Sequence, residues 1–140
     1  MLGDVRWIWL RGMYLYTAVG SGATGVCLLV APEFWGQYLQ LPPPGSLVLG
    51  VLASVYLAEG IVALFGLRQP LAFAPLLVLQ MLYKTLFLVV VGFPSAWAGQ
   101  AGFWDQALMV IFVSYIVGDA IAVPFRTLLR SGQIQSQAPA

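Results

Sequence analysis

Four long apolar segments dominate the 140-residue sequence and restrict it to one structural class. They cover residues 9–31, 46–67, 70–92 and 104–125. A helix of about twenty apolar residues crosses a hydrocarbon core of roughly 30 Å. The chain is 61% hydrophobic and only 8% charged, whereas about a quarter of the residues of a soluble domain are charged. The sequence therefore predicts an all-α membrane protein, an antiparallel bundle of four transmembrane helices.

The basic residues predict how this bundle is oriented. Five of them flank the apolar segments on what becomes one side of a membrane crossed four times: Arg6, Arg11, Arg68, Arg126 and Arg130. The two connections on the other side contain no Lys or Arg. Because loops that carry Lys and Arg remain in the cytoplasm, we expect both termini to be cytoplasmic. The membrane is predicted to be the bacterial inner (plasma) membrane.

One domain accounts for the sequence. Residues 1–126 are predicted to form a single transmembrane domain, and residues 127–140 a short, polar C-terminal tail. The first apolar segment is longer than the core of a usual signal peptide and lacks a convincing cleavage site of small residues. We therefore interpret it as a permanent helix.

Missing residue types exclude several kinds of chemistry. The sequence has no histidine, which is the commonest metal ligand and general base. Its one cysteine, Cys27, cannot form an intrachain disulfide, which excludes the thiol-pair chemistry of four-helix quinone-linked oxidoreductases. The net charge of +1 and the lack of a basic patch give no sign of nucleic-acid binding. No catalytic, cofactor-binding or metal-binding residues are predicted.

Three charged residues that lie well away from the ends of the apolar segments predict a polar centre in the membrane. An ammonium group at that depth needs a counter-charge, water or a path to the headgroups, so Lys84 is expected to pair with acids from other helices. On the helical rise per residue, Glu59 and Asp119 are roughly 12 Å and 10 Å from the cytoplasmic end of their helices. Lys84 is roughly 21 Å from the start of its helix, and its long stem reaches back toward them. Neighbouring positions add three residues to the predicted centre, namely Tyr56, Gln80 and Tyr115.

The predicted centre carries unequal charge. Two acids and one base leave a net negative charge if all three are ionised, which is unfavourable at low dielectric constant. We therefore expect one carboxylate to hold a proton near neutral pH, or the centre to bind a cation. The alternative is a purely structural ion-pair network that fixes the register of the helices. Tyr83, next to Lys84, is interpreted as a packing or lipid-facing residue.

The first apolar segment is rich in small residues. Gly20 with Thr24, and Ser21 with Gly25, are pairs of small residues four positions apart, the spacing that lets membrane helices pack closely. Thr17, Ser21 and Thr24 also share one side of the helix. Their hydroxyl groups either line a polar seam or hydrogen-bond to carbonyl groups of their own helix. We favour the second interpretation.

Aromatic residues mark the connections on the side without basic residues. A short amphipathic turn lying in the membrane interface is predicted from Phe34, Trp35, Tyr38 and Leu39. Residues 93–104 contain further aromatic residues of the type that anchor membrane borders, and they are predicted to form a loop. Asp105 fits as the N-cap or first-turn acid of the fourth helix.

Three stretches of the sequence resemble small four-helix bacterial membrane proteins of the DoxX-like kind. They are GVCLLVAPEFW (residues 25–35), LGVLASVYLAEGIVAL (49–64) and VGDAIAVPFRTLLR (117–130), and a proline-rich connection lies between the first two. The resemblance spans most of the chain and implies a four-helix integral membrane fold. It implies no catalytic residues.

Three kinds of function are open for a protein of this class in the lipid bilayer. The first is a small membrane protein, expected to be a homo-oligomer, that binds or moves a small molecule or a proton through a cavity touching Glu59, Lys84 and Asp119. The second is a structural or accessory subunit of a membrane complex, with a dry, fully paired centre and an outward face of small residues. The third, an enzyme acting on a lipid or quinone, ranks last because the sequence offers no recognised catalytic constellation.

Overall fold

A computed structural model describes residues 5–39, 41–126 and 128. In this part of the chain every regular element is a helix. The elements are α1 (Trp7–Val30), α2 (Pro32–Gly36), α3 (Leu47–Arg68), α4 (Ala74–Phe87), a π-helical turn (Leu88–Gly92), α5 (Phe93–Trp97) and α6 (Phe103–Ala122). The predicted tail, residues 127–140, lies outside the described residues apart from Leu128.

Four of these helical segments are long and apolar enough to cross a membrane. They are α1, α3, α6 and the continuous segment Ala74–Trp97, which joins α4, the π turn and α5. The shortest has 20 residues, about 30 Å of helix, which matches the hydrocarbon thickness. The prediction of an all-α membrane protein with four spanning helices is confirmed.

Successive spans run antiparallel. The ring of Tyr14, early in α1, lies against Gly66, late in α3, whereas Gly25, late in α1, lies against the backbone of Leu57. Three further helix pairs are antiparallel as well, because residues later in one helix contact residues earlier in the other. The contacts are Tyr83–Glu59 and Phe73–Phe65 between the third span and α3. They are Gln80–Asp119 and Phe87–Phe112 between the third span and α6, and Met13–Gly118 and Tyr16–Tyr115 between α1 and α6. The start of α1 and the end of α6 therefore lie at the same end of the bundle.

The two ends of the bundle differ in composition. One end, called here the basic end, carries Arg6, Arg11, Arg68 and Arg126, all exposed. The other, called the aromatic end, carries a chain of ring contacts that runs through Phe34, Tyr38, Trp104 and Phe103. Tryptophan and tyrosine are enriched where helices leave the hydrocarbon, so each end has the composition of a membrane border.

Helices α1 and α3 form the most extensive helix pair. A methyl group at Gly60 would collide with the backbone of Gly22, and one at Gly25 with the backbone of Leu57. Glycine therefore lets the two backbones approach closely. Close packing is needed because the hydrophobic effect does not drive helices together inside a membrane. The predicted close packing around Gly25 is present in the structure. By contrast, α3 and α4 make few backbone contacts, and long side chains fill the seam between them.

The third span is shifted relative to the predicted segment 70–92. Residues 70–73 form a turn, helix α4 begins at Ala74 with Pro75 in its first turn, and the helix continues to Trp97. Proline is tolerated in a first turn, where its missing N–H has no helical partner. Pro94 also lacks an N–H, and the π turn just before it adjusts the hydrogen-bond ladder so that the span continues. The prediction of a loop from residue 93 is wrong for Phe93–Trp97.

The first turn of α6 is closed by an acid, as predicted. The carboxylate of Asp105 accepts a hydrogen bond of 3.0 Å from the backbone N–H of Gly102. An acid here satisfies an unpaired donor and complements the positive end of the helix dipole. The last helical residue of this span is Ala122, three residues before the predicted end.

Large apolar side chains cover the outside of the bundle. Ile8, Val19, Val51, Val110 and Leu79 are each at least 60% exposed. A soluble bundle buries such residues and places polar ones outside. The exposed apolar surface agrees with a helix bundle that is solvated by lipid.

Candidate functional site

The interior of the bundle contains a group of buried or half-buried polar side chains that hydrogen-bond to one another, called here the polar core. Its members are Thr17 of α1, Glu59 of α3, Gln80, Tyr83 and Lys84 of α4, and Asp119 of α6. Thr17, Gln80 and Asp119 are completely buried, and Lys84 is 1% exposed. Each spanning helix therefore contributes at least one polar group to the interior, where an unsatisfied group is expensive.

Lys84 and Glu59 form a buried ion pair. The Nζ atom of Lys84 lies 3.7 Å from Oε1 of Glu59. The later start of α4 explains the match in depth, since Lys84 is ten residues from Ala74, about 15 Å along the helix. Glu59 is nine residues from the end of α3 at Arg68, about 14 Å by the same rise. The two charges are therefore level, and the lysine stem does not have to reach back.

The hydroxyl group of Tyr83 joins the two members of the ion pair. It donates to both carboxylate oxygens of Glu59, at 3.0 and 3.2 Å, and accepts a hydrogen bond from the ammonium group of Lys84. Hydrogen bonds to charged groups are stronger than those between neutral groups. The interpretation of Tyr83 as a packing or lipid-facing residue is therefore wrong. Its ring is half-buried at the seam between α3 and α4, and its hydroxyl points inward.

Aromatic rings surround the ammonium group on its other sides. Its Nζ atom lies 4.3 Å from the ring centre of Tyr83, 4.4 Å from that of Tyr115 and 5.5 Å from that of Phe112. The faces of aromatic rings attract cations, and more so when water is excluded. This aromatic surrounding, with the carboxylate and the hydroxyl, accounts for an ammonium group that is almost completely buried.

Asp119 belongs to a second hydrogen-bond chain. The side-chain amide of Gln80 donates to Oδ2 of Asp119 at 2.7 Å, and its Oε1 accepts from the hydroxyl of Thr17 at 3.1 Å. This chain connects α6, α4 and α1 through neutral donors. Thr17 thus lines a seam between helices, contrary to the interpretation favoured from sequence. Thr24 does bond to its own helix, through the carbonyl of Gly20.

The other oxygen of Asp119 has no hydrogen-bond donor in the described part of the protein. Its Oδ1 atom is buried and unpaired. Among the described residues, the pair of Lys84 with Glu59 satisfies the ion-pair distance of 4 Å and no pair with Asp119 does. An ionised carboxylate with one bare oxygen is unfavourable inside a protein. The two acids are thus unequal: Glu59 has a cation within ion-pair distance, whereas the hydrogen-bond partner of Asp119 is a neutral amide.

The remaining two predicted residues lie at the margin of the polar core. Tyr115 stacks on Tyr16 with ring centres 4.2 Å apart, and its hydroxyl donates to the backbone carbonyl of Tyr16. Tyr56 is half-buried against two apolar clusters that include Ala53 and Phe112. The structure therefore places Tyr115 beside Lys84 as part of its aromatic surrounding, and Tyr56 between the polar core and apolar packing.

Two surface grooves of the bundle lie away from the polar core. One surface groove runs between α1 and α3, and its lining includes Gly22, Cys27 and Gly60. A second lies near the aromatic end, between the end of α1 and the start of α3. Neither is lined by a residue of the polar core. No group of three or more metal-ligating His, Cys, Asp or Glu side chains occurs among the described residues.

Two members of the polar core, Thr17 and Tyr83, were missed as site residues by the sequence reasoning. Thr17 shares its helical face with Tyr14 and Ser21, which was a signal of an inward polar stripe. Tyr83 gave no such signal, because consecutive residues of a helix point about 100° apart. Its inward hydroxyl depends on the width of the seam between α3 and α4.

Comparison with protein-family models, with curated proteins and with solved structures found no match. The resemblance to the DoxX-like proteins stays a prediction.

Proposed function

We propose that this chain is a small integral membrane protein whose polar core binds and exchanges a proton, with Asp119 as the group that carries it. The unpaired Oδ1 of Asp119 is the observation that supports this most directly. Protonation removes the charge from a carboxyl group that has no cation of its own, whereas Glu59 is balanced by Lys84. Ionisable groups inside membrane helices are rare, and they commonly mark proton, ion or ligand sites.

The ligand of the polar core is proposed to be a proton and not a larger molecule. The two surface grooves described above are lined by other residues, and the side chains of the polar core are closely packed, with Gln80 and Asp119 completely buried. A proton requires no cavity, since it attaches to an oxygen that is already in place. The same close packing argues against an active site for a lipid or quinone substrate.

The membrane and orientation are part of this proposal. We place the protein in a bacterial inner membrane with the basic end in the cytoplasm. Support comes from the four exposed arginines at that end and from the retention of Lys and Arg on the cytoplasmic side.

A second candidate function is that of an accessory subunit in a membrane complex. The groove between α1 and α3 faces outward and is lined by small residues, including Ala18, Gly22, Ala23 and Gly60. Small residues allow a further membrane helix to approach closely. The bare oxygen of Asp119 favours the first candidate, because a purely structural network is expected to satisfy both oxygens.

Infrared spectroscopy of the reconstituted protein tests the proton-binding role. A protonated carboxyl group absorbs as a carbonyl, separately from an ionised carboxylate. We expect such a band at neutral pH, its disappearance in Asp119→Asn, and its persistence in the matched variant Glu59→Gln. A spectrum in which Asp119→Asn leaves the carbonyl region unchanged would exclude Asp119 as the proton carrier.

A cation in place of the proton is an outcome that the same preparation detects. If Asp119 is ionised and a sodium or potassium ion neutralises it, the carboxylate bands shift when the salt is exchanged, and no protonated band is seen. If neither a protonated band nor a response to salt is found, the polar core has a structural role and the accessory-subunit function is the one that remains.

A further inference from the structure

Buried polar side chains are distributed unevenly along the bundle. Among the described residues they are Thr17, Ser21, Glu59, Gln80, Lys84 and Asp119. Lys84 and Glu59 form the level farthest from the basic end, together with Ser21, whose neighbour Gly22 packs against Gly60. The others lie nearer the basic end. The polar core therefore extends from the middle of the bundle toward one end only.

The half of the interior nearer the aromatic end has no buried polar side chain among the described residues. Its buried hydrophobic residues are Leu28, Leu49, Ala53, Leu88, Met109 and Phe112. Leu88 lies one helical turn beyond Lys84, and it packs in one cluster with Met109 and Phe112. The ring of Phe112 covers the ammonium group from the side of the aromatic end. These residues form an apolar layer between Lys84 and the aromatic end.

The distances from the polar core to the two ends of the spanning helices differ. Asp119 is three residues from the end of α6 at Ala122, about 5 Å along the helix. Lys84 is thirteen residues from Trp97 at the aromatic end, about 20 Å by the same rise. On the short path the hydroxyl of Tyr14 donates to the carbonyl of Pro70, in the turn at the basic end. Tyr14 and Pro70 are themselves buried, and apolar side chains such as Leu10 and Val123 belong to the same cluster as Tyr14. The short path therefore differs from the long one in its length and in this polar contact.

The groups that face Asp119 come from every spanning helix. The titratable and charged ones are Tyr14 of α1, Glu59 of α3, Lys84 of α4 and Tyr115 of α6. Of these groups, Lys84 and Glu59 lie nearest the aromatic end. The apolar layer begins directly beyond them.

We propose that protons reach Asp119 from the basic end alone, and that the apolar layer of Leu88, Met109 and Phe112 insulates it from the aromatic end. The inference rests on the proton-binding function proposed above. A hydronium ion at the basic end gives its proton to a carboxylate oxygen of Asp119, an O–H bond forms, and water is released. Release of the proton reverses these steps on the same side. The protonation state of Asp119 then depends on the pH of one compartment only, and the protein does not conduct protons across the membrane.

Proteoliposomes with a pH difference across the bilayer test the sidedness. An Ala98→Cys change in a Cys27→Ser background places a thiol at the aromatic end, and a membrane-impermeant maleimide counts the molecules whose aromatic end faces out. The external pH is then stepped while a trapped dye verifies constant internal pH. The fraction of the Asp119 carbonyl band that follows the step should equal the fraction of molecules with the basic end outside.

Three results are distinguishable in this experiment. A responding fraction equal to that of the molecules with the aromatic end outside overturns the sidedness and leaves the proton-binding function standing. A response of all molecules overturns it too, because access is then two-sided. The absence of any Asp119-dependent band overturns the proton-binding function, and with it this inference.

A substitution in the apolar layer gives a second, independent readout. Leu88→Asn introduces a polar group beside Lys84, and we expect it to raise the proton permeability of proteoliposomes several-fold over the unmodified protein. The matched control is Leu86→Asn, because Leu86 lies in the same span and is 55% exposed to lipid. Equal permeability of all three proteins, with helical content retained, would show that Leu88 is no barrier.

Discussion

The side-chain amide of Gln80 donates a hydrogen bond of 2.7 Å to Oδ2 of Asp119. This contact joins the third and fourth spans in the middle of an apolar bundle, and Gln80 is completely buried. A neutral donor stabilises a carboxyl group in either protonation state, whereas a cation would fix it as ionised. The partner of Asp119 therefore suits a group that gains and loses a proton.

Replacement of Gln80 by leucine should destabilise the bundle. Interhelical hydrogen bonds in membrane proteins contribute on average about 0.6 kcal/mol, and an unsatisfied partner adds about 1–3 kcal/mol. We expect Gln80→Leu to lower the free energy of unfolding by roughly 1–2 kcal/mol on these figures. Gln37→Leu is the control, since Gln37 is exposed. Unfolding in mixed detergent micelles measures both, and equal stability would contradict the assigned contact.

Loss of the lysine charge should be more harmful than loss of the whole ion pair. Lys84→Met leaves Glu59 without its cation, and removal of one partner of a buried pair costs roughly 3–5 kcal/mol. The double variant Lys84→Met, Glu59→Gln removes both charges, so we expect it to recover much of that loss. A double-mutant cycle on unfolding free energies measures the coupling. Additive losses would mean that the two charges do not interact.

The hydroxyl of Tyr83 is predicted to contribute to stability although its ring is only half-buried. Tyr83→Phe keeps the ring and removes the bonds to Glu59 and Lys84. Charge-assisted bonds are the stronger class, and we expect a loss of about 1.5–3 kcal/mol. Tyr38→Phe serves for comparison, because Tyr38 is 37% exposed at the aromatic end. A lipid-facing hydroxyl would give two variants of equal stability.

Close packing of α1 on α3 predicts that glycine is required at their crossing. A methyl group at Gly60 would meet the backbone of Gly22, so Gly60→Ala must push the helices apart. Overpacking of this kind costs about 1–3 kcal/mol. At Gly50 nothing lies within 4 Å of the added atom, and we expect Gly50→Ala to be neutral or slightly stabilising. Thermal unfolding compares the two, and equal melting temperatures would be evidence against a tight crossing.

The number and type of spans could be predicted because apolar length is a local property. Twenty apolar residues must cross the bilayer as a helix whatever their neighbours are. The pairing of Lys84 with an acid from another helix could be predicted as well, because an ammonium group inside the membrane needs a counter-charge. The ion pair with Glu59 needs only that two antiparallel spans place their charges at one level.

Other features of the site depend on how the helices pack against one another, which cannot be predicted from local sequence patterns. The π turn before Pro94 extends the third span beyond its apolar pattern. The choice of Glu59 over Asp119 as partner of Lys84 depends on the rotation of α4 between α3 and α6. The inward hydroxyl of Tyr83 requires a seam wide enough for a phenol ring, and a seam closed by glycine, as between α1 and α3, would have excluded it.

The order of the spans along the chain has a consequence for membrane insertion. Chains are made from the N-terminus, so the tightly packed pair of α1 and α3 enters the bilayer before the third span does. We therefore expect the carboxylate of Glu59, the ion-pair partner of Lys84 in the folded protein, to be in the bilayer before the ammonium group of Lys84 enters it. The lysine then enters the lipid with a counter-charge already present. Asp119, on the last span, enters after Gln80, its hydrogen-bond donor.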